Sequence, residues 1–230
     1  MLDVAKIRAI SLDLDDTLWP IWPTIERAEK ALHAWLSFHA PGAAALFDGA
    51  TALQALREHV NIHRPDLKAD LSAVRLEMIR LALLRAGEAP SLAEAAFEVF
   101  FSERQRVTLY EDALPALDFL SARFPLVSLS NGNADVARIG LGDYFQATVS
   151  AREFGSAKPD PRIFVAAASA VALQPGELLH VGDDATLDVL AALNAGMQAA
   201  WLNRGDHPWP HEVQPHAIVT TLTELCGLLE

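Results

Sequence analysis

Residues 10–20 (ISLDLDDTLWP) place three carboxylates within four positions, directly after an apolar run. Like charges this close repel one another, and burial makes each charge more costly. In an extended strand, Asp13 and Asp15 point to the same side. A cation held between them would relieve the repulsion, so this stretch predicts metal-assisted chemistry, unless the acids only cap the following turn.

Two further stretches carry groups that suit a phosphate oxygen. Ser130, Asn131 and Gly132 follow a strand-like run and offer a hydroxyl with adjacent backbone N–H groups. Lys158 lies in the sequence SAKPD, where Pro159 prevents a helix from continuing through the lysine. Each stretch also has a simpler interpretation when it is considered alone. The first could be an ordinary turn, and the second an ordinary surface lysine.

The fourth stretch, VGDDATLD, opens a predicted helix with three more carboxylates. Asp183 lies in the turn, while Asp184 and Asp188 are four residues apart and share a helix face. Ligands of open parallel sheets bind beyond the carboxyl ends of strands, where we expect all four stretches. Their order favours one site in which Asp13, Asp15 and Asp183 surround a hard cation. Mg²⁺ fits best, because it commonly takes one or two carboxylates, waters and a phosphate oxygen.

The elements that must position these residues alternate between strands and helices over most of the chain. Such alternation predicts an α/β fold, a doubly wound parallel sheet with helices on both faces. After the first strand, however, about 90 residues show only helical patterns, whereas a crossover connection between two parallel strands needs only about a dozen residues. We therefore predict a core of residues 1–18 and 108–230, with an all-helical cap domain inserted at 19–107. The predicted strands are 7–14, 125–130, 147–149, 178–181, 198–202 and 217–219, and the predicted helices are 24–39, 43–59, 67–85, 91–106, 111–122, 135–140, 161–172, 185–195 and 222–229.

Composition limits the remaining function classes. The formal net charge of −12 argues against non-specific binding to nucleic acid or to an anionic membrane. No apolar run approaches the ~18 residues of a membrane span, and the first residues carry charges where a signal peptide is apolar. Because Cys226 is the single cysteine, no internal disulfide is possible. We expect a cytoplasmic protein, monomeric or homodimeric, without nucleic-acid or membrane partners.

Taken together, the four stretches resemble the motifs of the haloacid dehalogenase superfamily. DLDDTL is similar to its first motif, Ser130 to the second, Lys158 to the third and GDDATLD to the fourth. The helical insertion is similar to the cap of one subclass, so the resemblance covers the whole chain and implies a Rossmann-like core. LSNGNADV, GLGDYFQA, SAKPDPRIF and HVGDDATLDVLAALNAGMQAAWL are further similar to the bacterial flavin mononucleotide phosphatases of this superfamily, which are also linked to a ribitylaminouracil phosphate of riboflavin synthesis.

The resemblance implies a role for each of the main residues. Asp13 would be the nucleophile that forms an aspartyl phosphate. Asp15 would protonate the leaving alkoxide and then activate water, while its backbone carbonyl binds the metal. Ser130 and Lys158 would hold the phosphoryl oxygens, together with the backbone beside Ser130. Asp183 would be a metal ligand.

The resemblance also implies roles for two more acidic residues, Asp184 and Asp188, but none for Asp16. We place Asp184 with the metal ligands, and Asp188 behind them as a partner that orients Lys158. Asp16 stands where many relatives carry glycine, and we assign it no chemistry.

The expected function is Mg²⁺-dependent hydrolysis of a small phosphorylated metabolite, with flavin mononucleotide or a related ribityl phosphate as the substrate. The dehalogenases of the superfamily lack an acid at the position of Asp15, because a halide leaves without a proton. The alternatives are a general sugar-phosphate phosphatase or phosphomutase, a 2-haloacid dehalogenase, and a non-enzymatic receiver-like module that holds phosphate on Asp13.

Other side chains give weaker hypotheses. Trp19 or Trp22 could stack on a flavin ring, unless both are core or hinge residues. Arg75, on a predicted cap helix, could reach a second polar group of the substrate, unless it is an ordinary solvated arginine. His180 reads as a hydrogen-bonded core histidine.

Overall fold

A computed structural model describes all residues, 1–230, and the chain divides into two compact units. One unit comprises Met1–Pro20 with Thr108–Glu230, and the other is Ile21–Val107. The predicted division differs only in assigning residues 19 and 20 to the helical segment. No helix combines the length and the apolar character needed to cross a bilayer.

The unit Ile21–Val107 is entirely helical and has its own core. Leu32, Leu36, Ile79 and Leu83 are buried at its centre. The predicted helix 43–59 is in fact two helices, because Gly49 takes a φ of +84° that a helix does not allow. The helices are α1 (Ile21–His39), α2 (Pro41–Leu46), α3 (Ala50–His63), α4 (Leu71–Ala86) and α5 (Ala93–Arg104).

The other unit is built on a six-stranded parallel sheet, which confirms the predicted fold class. The strand order is β3-β2-β1-β4-β5-β6, so β2 and β3 are added on one side of β1 and β4, β5 and β6 on the other. In that strand, Ser11 pairs with Val127 on one side and with His180 on the other. The strands are β1 (Ala9–Leu12), β2 (Leu126–Ser130), β3 (Ala147–Ser150), β4 (Leu178–Gly182), β5 (Gln198–Leu202) and β6 (Ala217–Val219).

Short helices connect these strands. Asp160 caps one of them by accepting from the backbone N–H of Arg162, and Pro161 lies in its first turn. The predicted helix 185–195 begins instead as a π-helical stretch, Ala185–Leu190. The helices of this unit are α6 (Ala113–Ser121), α7 (Val136–Ile139), α8 (Ala151–Phe154), α9 (Pro161–Ser169), α10 (Ala191–Asn194) and α11 (Leu222–Leu228).

Candidate active site

The predicted stretches meet at the carboxyl ends of three neighbouring strands. Asp13 directly follows β1, and its backbone N–H donates to the carbonyl of Val181 in β4 at 2.9 Å. Asp183 directly follows β4. Carboxylate oxygens of Asp13, Asp183 and Asp188 lie within 4.8 Å of one another. Since parallel strands end at one edge of a sheet, the topology itself concentrates this charge.

Lys158 provides the positive charge at the centre of the cluster. Its Nζ lies 2.5 Å from Asp13 Oδ1, 2.5 Å from Asp188 Oδ1 and 3.0 Å from the carbonyl of Leu129. Each of the three ammonium hydrogens therefore has an acceptor. Burial would lower the pKa of Lys158, but the attraction of both carboxylates raises it above its ordinary value. The side chain remains a fixed cation at any physiological pH.

Residues 130–132 position Lys158 and also offer the Ser130 hydroxyl to a substrate. The Asn131 side chain accepts from the backbone N–H of Lys158 at 2.7 Å and donates to the Lys158 carbonyl at 2.9 Å. Its side-chain amide is therefore committed to the lysine backbone. The predicted phosphate contact of Asn131 concerned its backbone N–H, which this pairing does not involve. Gly132 N–H donates to Ser130 Oγ at 2.9 Å, which leaves the Ser130 hydroxyl hydrogen able to donate to a phosphoryl oxygen.

Asp188 lies beside Lys158 and is surrounded by donors. Its Oδ2 accepts from the backbone N–H of Asp184 at 3.0 Å, and its Oδ1 lies 3.4 Å from His180 Nε2. A Cβ at Gly182 would lie 2.4 Å from the Asp188 carboxyl carbon, so only glycine permits this approach. Burial opposes the Asp188 charge, but Lys158 and His180 more than offset that effect and hold its pKa well below the usual range.

Asp184 does not join the cluster, although we predicted it as a metal ligand. Its side chain is exposed, and Oδ1 accepts from the backbone N–H groups of Thr186 and Leu187 at 2.8 and 2.7 Å. The carboxylate therefore caps the helical stretch that follows, because free N–H groups at a helix start attract a carboxylate. That prediction is corrected: Asp184 is a capping residue.

The negative charges of Asp13 and Asp183 are not fully compensated by positive charge nearby. Burial raises the pKa of Asp13 well above its ordinary value, even though Lys158 counteracts it. Burial, with repulsion from Asp188 and Asp16, raises the pKa of Asp183 to about 7. The donor set is all oxygen and short of charge compensation, which fits a hard divalent cation such as Mg²⁺.

Asp15 is held by the indole of Trp19, whose Nε1–H donates to Asp15 Oδ1 at 2.9 Å. The Trp19 side chain is fully buried, so it has no exposed ring face for a substrate. Our stacking hypothesis is therefore wrong for Trp19, which instead orients the carboxyl group two residues after the nucleophile candidate. Trp22 is 75% exposed and belongs to the helical unit.

Arg75 is also committed to a contact within the helical unit. Its guanidinium lies 2.5 Å from Glu29 Oε1 and above the ring of Phe100, 4.5 Å from the ring centroid. These contacts join α4 to α1 and α5. Nothing in them supports the predicted contact with substrate, and they correct Arg75 to a packing residue of this unit.

Two residues with contacts in the cluster were assigned no role from the sequence. Thr17 Oγ1 lies 3.2 Å from Asp183 Oδ1 and 3.4 Å from Asp13 Oδ2, so its single hydroxyl hydrogen can be donated to either carboxylate. Its position four residues after Asp13 was a usable signal. Trp201 Nε1–H donates to the Asp183 carbonyl at 2.7 Å, a contact that depends on the pairing of β4 with β5.

With this geometry established, the chain can be compared with known proteins. Residues 7–196 match the family described as haloacid dehalogenase-like hydrolases. The chain belongs to this family and is therefore a hydrolase, in agreement with the predicted resemblance.

Individual relatives divide between two chemistries. The chain is 34% identical to the 5-amino-6-(5-phospho-D-ribitylamino)uracil phosphatase YigB of Escherichia coli (strain K12), over 98% of both chains. It is 33% identical to a phosphoserine phosphatase of Thermus thermophilus, over 95% of this chain and 98% of that one. Among solved structures, one described as a 2-haloacid dehalogenase from Pseudomonas syringae pv. Tomato DC3000 has a TM-score of 0.91 and 35% identity, covering 97% of this chain and 98% of that one.

Proposed function

We propose that this hydrolase is a Mg²⁺-dependent phosphomonoesterase that acts on ribityl phosphates through an aspartyl phosphate at Asp13. The observation that carries the proposal is the buried carboxylate of Asp13 held 2.5 Å from the Lys158 ammonium. A nucleophile and a fixed cation this close can address the phosphorus and the charged oxygens of the same phosphoryl group.

The residues support a two-step displacement. In the first step, an Asp13 oxygen bonds to phosphorus as the bond from phosphorus to the alcohol oxygen breaks, and Asp15 gives that oxygen a proton. In the second step, water attacks the phosphorus, Asp15 takes the water proton, and Asp13 is released with inorganic phosphate. Lys158 and the Ser130 hydroxyl compensate the negative charge on the transferred group in both steps.

The Asp13 and Asp183 carboxylates and the Asp15 backbone carbonyl would hold the magnesium ion. When bound, it supplies positive charge that allows both carboxylates to stay ionised and that reduces the charge of the phosphoryl group. Asp188 is outside this set because both of its oxygens are engaged, Oδ1 by Lys158 and Oδ2 by the backbone N–H of Asp184.

Haloacid hydrolysis is the second candidate, and the similarity to the Pseudomonas syringae structure favours it. Halide leaves without a proton, whereas an alkoxide needs one, and general acid help is typically worth about 10²–10⁴-fold. The carboxyl group of Asp15, oriented by Trp19, therefore favours phosphoester hydrolysis over dehalogenation.

The substrate class follows from the Escherichia coli relative, whose name specifies a phosphorylated ribityl chain on a uracil ring. Flavin mononucleotide carries the same phosphorylated chain on a different flat heterocycle. We propose this shared class of compound, a ribityl phosphate attached to a flat heterocycle, as the substrate.

A phosphate-release assay over a panel of compounds with Mg²⁺ tests the proposal. The panel contains the ribitylaminouracil phosphate, flavin mononucleotide, phosphoserine, sugar phosphates and 2-chloropropionate, with Asp13→Asn as the inactive control. We expect the highest kcat/KM for a ribityl phosphate. A preference of about tenfold, or about 1.4 kcal/mol, for plain sugar phosphates would reject the substrate class, and chloride release without phosphate release would reject the reaction.

A further inference from the structure

His180 is a fully buried titratable residue with no role in the mechanism above. It lies in β4, where its backbone pairs with Ser11 of β1. Its Nδ1 lies 2.8 Å from Ser11 Oγ, its Nε2 lies 3.4 Å from Asp188 Oδ1, and Phe164 packs edge-on against the ring at 5.1 Å. Both ring nitrogens therefore have polar partners although the ring itself is fully buried.

These partners determine where the imidazole proton resides. Burial lowers the pKa of His180, so the ring is neutral and carries one N–H. The Asp188 carboxylate can only accept a hydrogen bond, whereas the Ser11 hydroxyl can donate one. Both contacts are satisfied only if Nε2–H donates to Asp188 and Ser11 donates to Nδ1. The other tautomer would direct a lone pair at the carboxylate.

The same Asp188 oxygen contacts both His180 and Lys158. Oδ1 lies 2.5 Å from Lys158 Nζ, and that ammonium lies 2.5 Å from Asp13 Oδ1. A continuous chain of hydrogen bonds thus connects Ser11, in the interior of the sheet, to the proposed nucleophile. Every intermediate group in the chain is buried.

We propose that His180, fixed by Ser11, is a positioning residue that sets the orientation of the Asp188 carboxylate and thereby the location of the Lys158 ammonium. His180 acts through Asp188 and touches neither Asp13 nor a substrate. The activity readout rests on the proposed phosphatase function. Partners that orient a catalytic group typically change activity by about 10–100-fold when removed, because small displacements of charged groups weaken the transition state.

The decisive comparison is His180→Leu against His180→Gln. Leucine removes both polar contacts, whereas the glutamine amide can donate towards Asp188 and accept from Ser11. With p-nitrophenyl phosphate and Mg²⁺, we expect His180→Leu to lower kcat by about 10–100-fold, and His180→Gln to restore most of that loss. Phe164→Leu is the matched control: it removes packing from the same ring, so it should lower Tm but leave kcat unchanged at a temperature well below unfolding.

A second readout does not depend on activity. In ¹⁵N-labelled protein, we expect the His180 proton on Nε2 and a displaced Lys158 ammonium resonance in His180→Leu that returns in His180→Gln. The inference is overturned if glutamine is no better than leucine in either readout, or if Phe164→Leu reproduces the kcat loss. If the wild-type protein releases no phosphate from any compound, the proposed function fails, and the resonances still decide the role of His180.

Discussion

The Lys158 ammonium nitrogen lies 2.5 Å from Asp13 Oδ1, although the two residues are 145 positions apart in the chain. Both side chains are buried, and Asp188 completes the group on the other side of the lysine. This arrangement gives the cluster one fixed cation for three carboxylates, and the lysine pairs with Asp13 and Asp188 but not with Asp183.

Replacing Lys158 with alanine should impair both binding and catalysis. Loss of a preorganised group that stabilises transferred charge typically costs about 10²–10³-fold in kcat, and KM should rise because substrate phosphate loses a partner. Removing one member of a buried ion pair should also lower the free energy of unfolding by about 3–5 kcal/mol. Steady-state kinetics and denaturant unfolding measure the two effects. A variant with normal kcat would show that the lysine has only a structural role.

Trp19→Phe should show whether Trp19 matters for activity because it orients Asp15 or only because its ring packs in the core. Phenylalanine keeps an aromatic side chain in the core but removes the indole N–H that donates to Asp15. A hydrogen bond to a charged group is worth about 1.5–3 kcal/mol, so we expect kcat to fall by about tenfold or more with KM nearly unchanged. A rise in KM specific to flavin mononucleotide, with kcat intact, would instead support stacking on the substrate.

Stability without metal should depend on pH through Asp183. Its pKa is raised from 3.8 to about 7 in the folded protein, so folding favours the protonated form. The associated stabilisation is complete below pH 3.8 and is lost as the pH rises through 7. In chelator, Asp183→Asn should therefore exceed the wild-type Tm by less near pH 5 than near pH 8.

Magnesium should reverse that order near pH 8. The ion binds the ionised carboxylates, so it should raise the Tm of the wild-type protein and have little effect on Asp183→Asn. Calcium should also bind but restore little activity, because its looser coordination misplaces the reacting groups. The same Tm difference at both pH values in chelator would refute the assignment of Asp183 as the uncompensated carboxylate.

Asp16 occupies a left-handed backbone position, with a φ of +59°, and its N–H donates to the Trp19 carbonyl at 2.7 Å. This explains why a glycine suits the position, since most L-residues lose about 1–2 kcal/mol there. Asp16→Gly should keep the free energy of unfolding within about 1 kcal/mol of wild type and retain turnover. Asp16→Val should be clearly less stable by denaturant unfolding. Equal stability of the two variants would contradict the backbone argument.

Much of the core could be predicted because its signals are local. Strands 198–202 and 217–219 are short apolar runs between turn residues, and the structure has them at the predicted bounds. The π-helical start at Ala185–Leu190 could not be predicted in the same way. There the Asp188 carboxylate accepts from the Asp184 N–H while also holding Lys158, a residue 30 positions earlier.

Side-chain assignments failed where the sequence gives residue type but not direction. Trp19 follows the acidic stretch as an exposed stacking residue would, yet its ring is buried and its N–H contacts Asp15. Asp184 and Asp183 are adjacent and chemically identical, but the first caps a helix and the second faces Asp13. Which carboxylate takes which task depends on the backbone turn after β4.

The central claim, covalent catalysis by Asp13, is tested most directly with Asp15→Asn and p-nitrophenyl phosphate. Because p-nitrophenolate leaves without a proton, the first step proceeds, whereas the second step lacks its base and stalls. Mass spectrometry of acid-quenched protein should then show one phosphoryl group on Asp13, with a burst of p-nitrophenolate of one equivalent. The account would be contradicted if the wild-type enzyme turned over steadily while the Asp15→Asn variant carried no phosphoryl group on Asp13. Turnover by Asp13→Asn would contradict it as well.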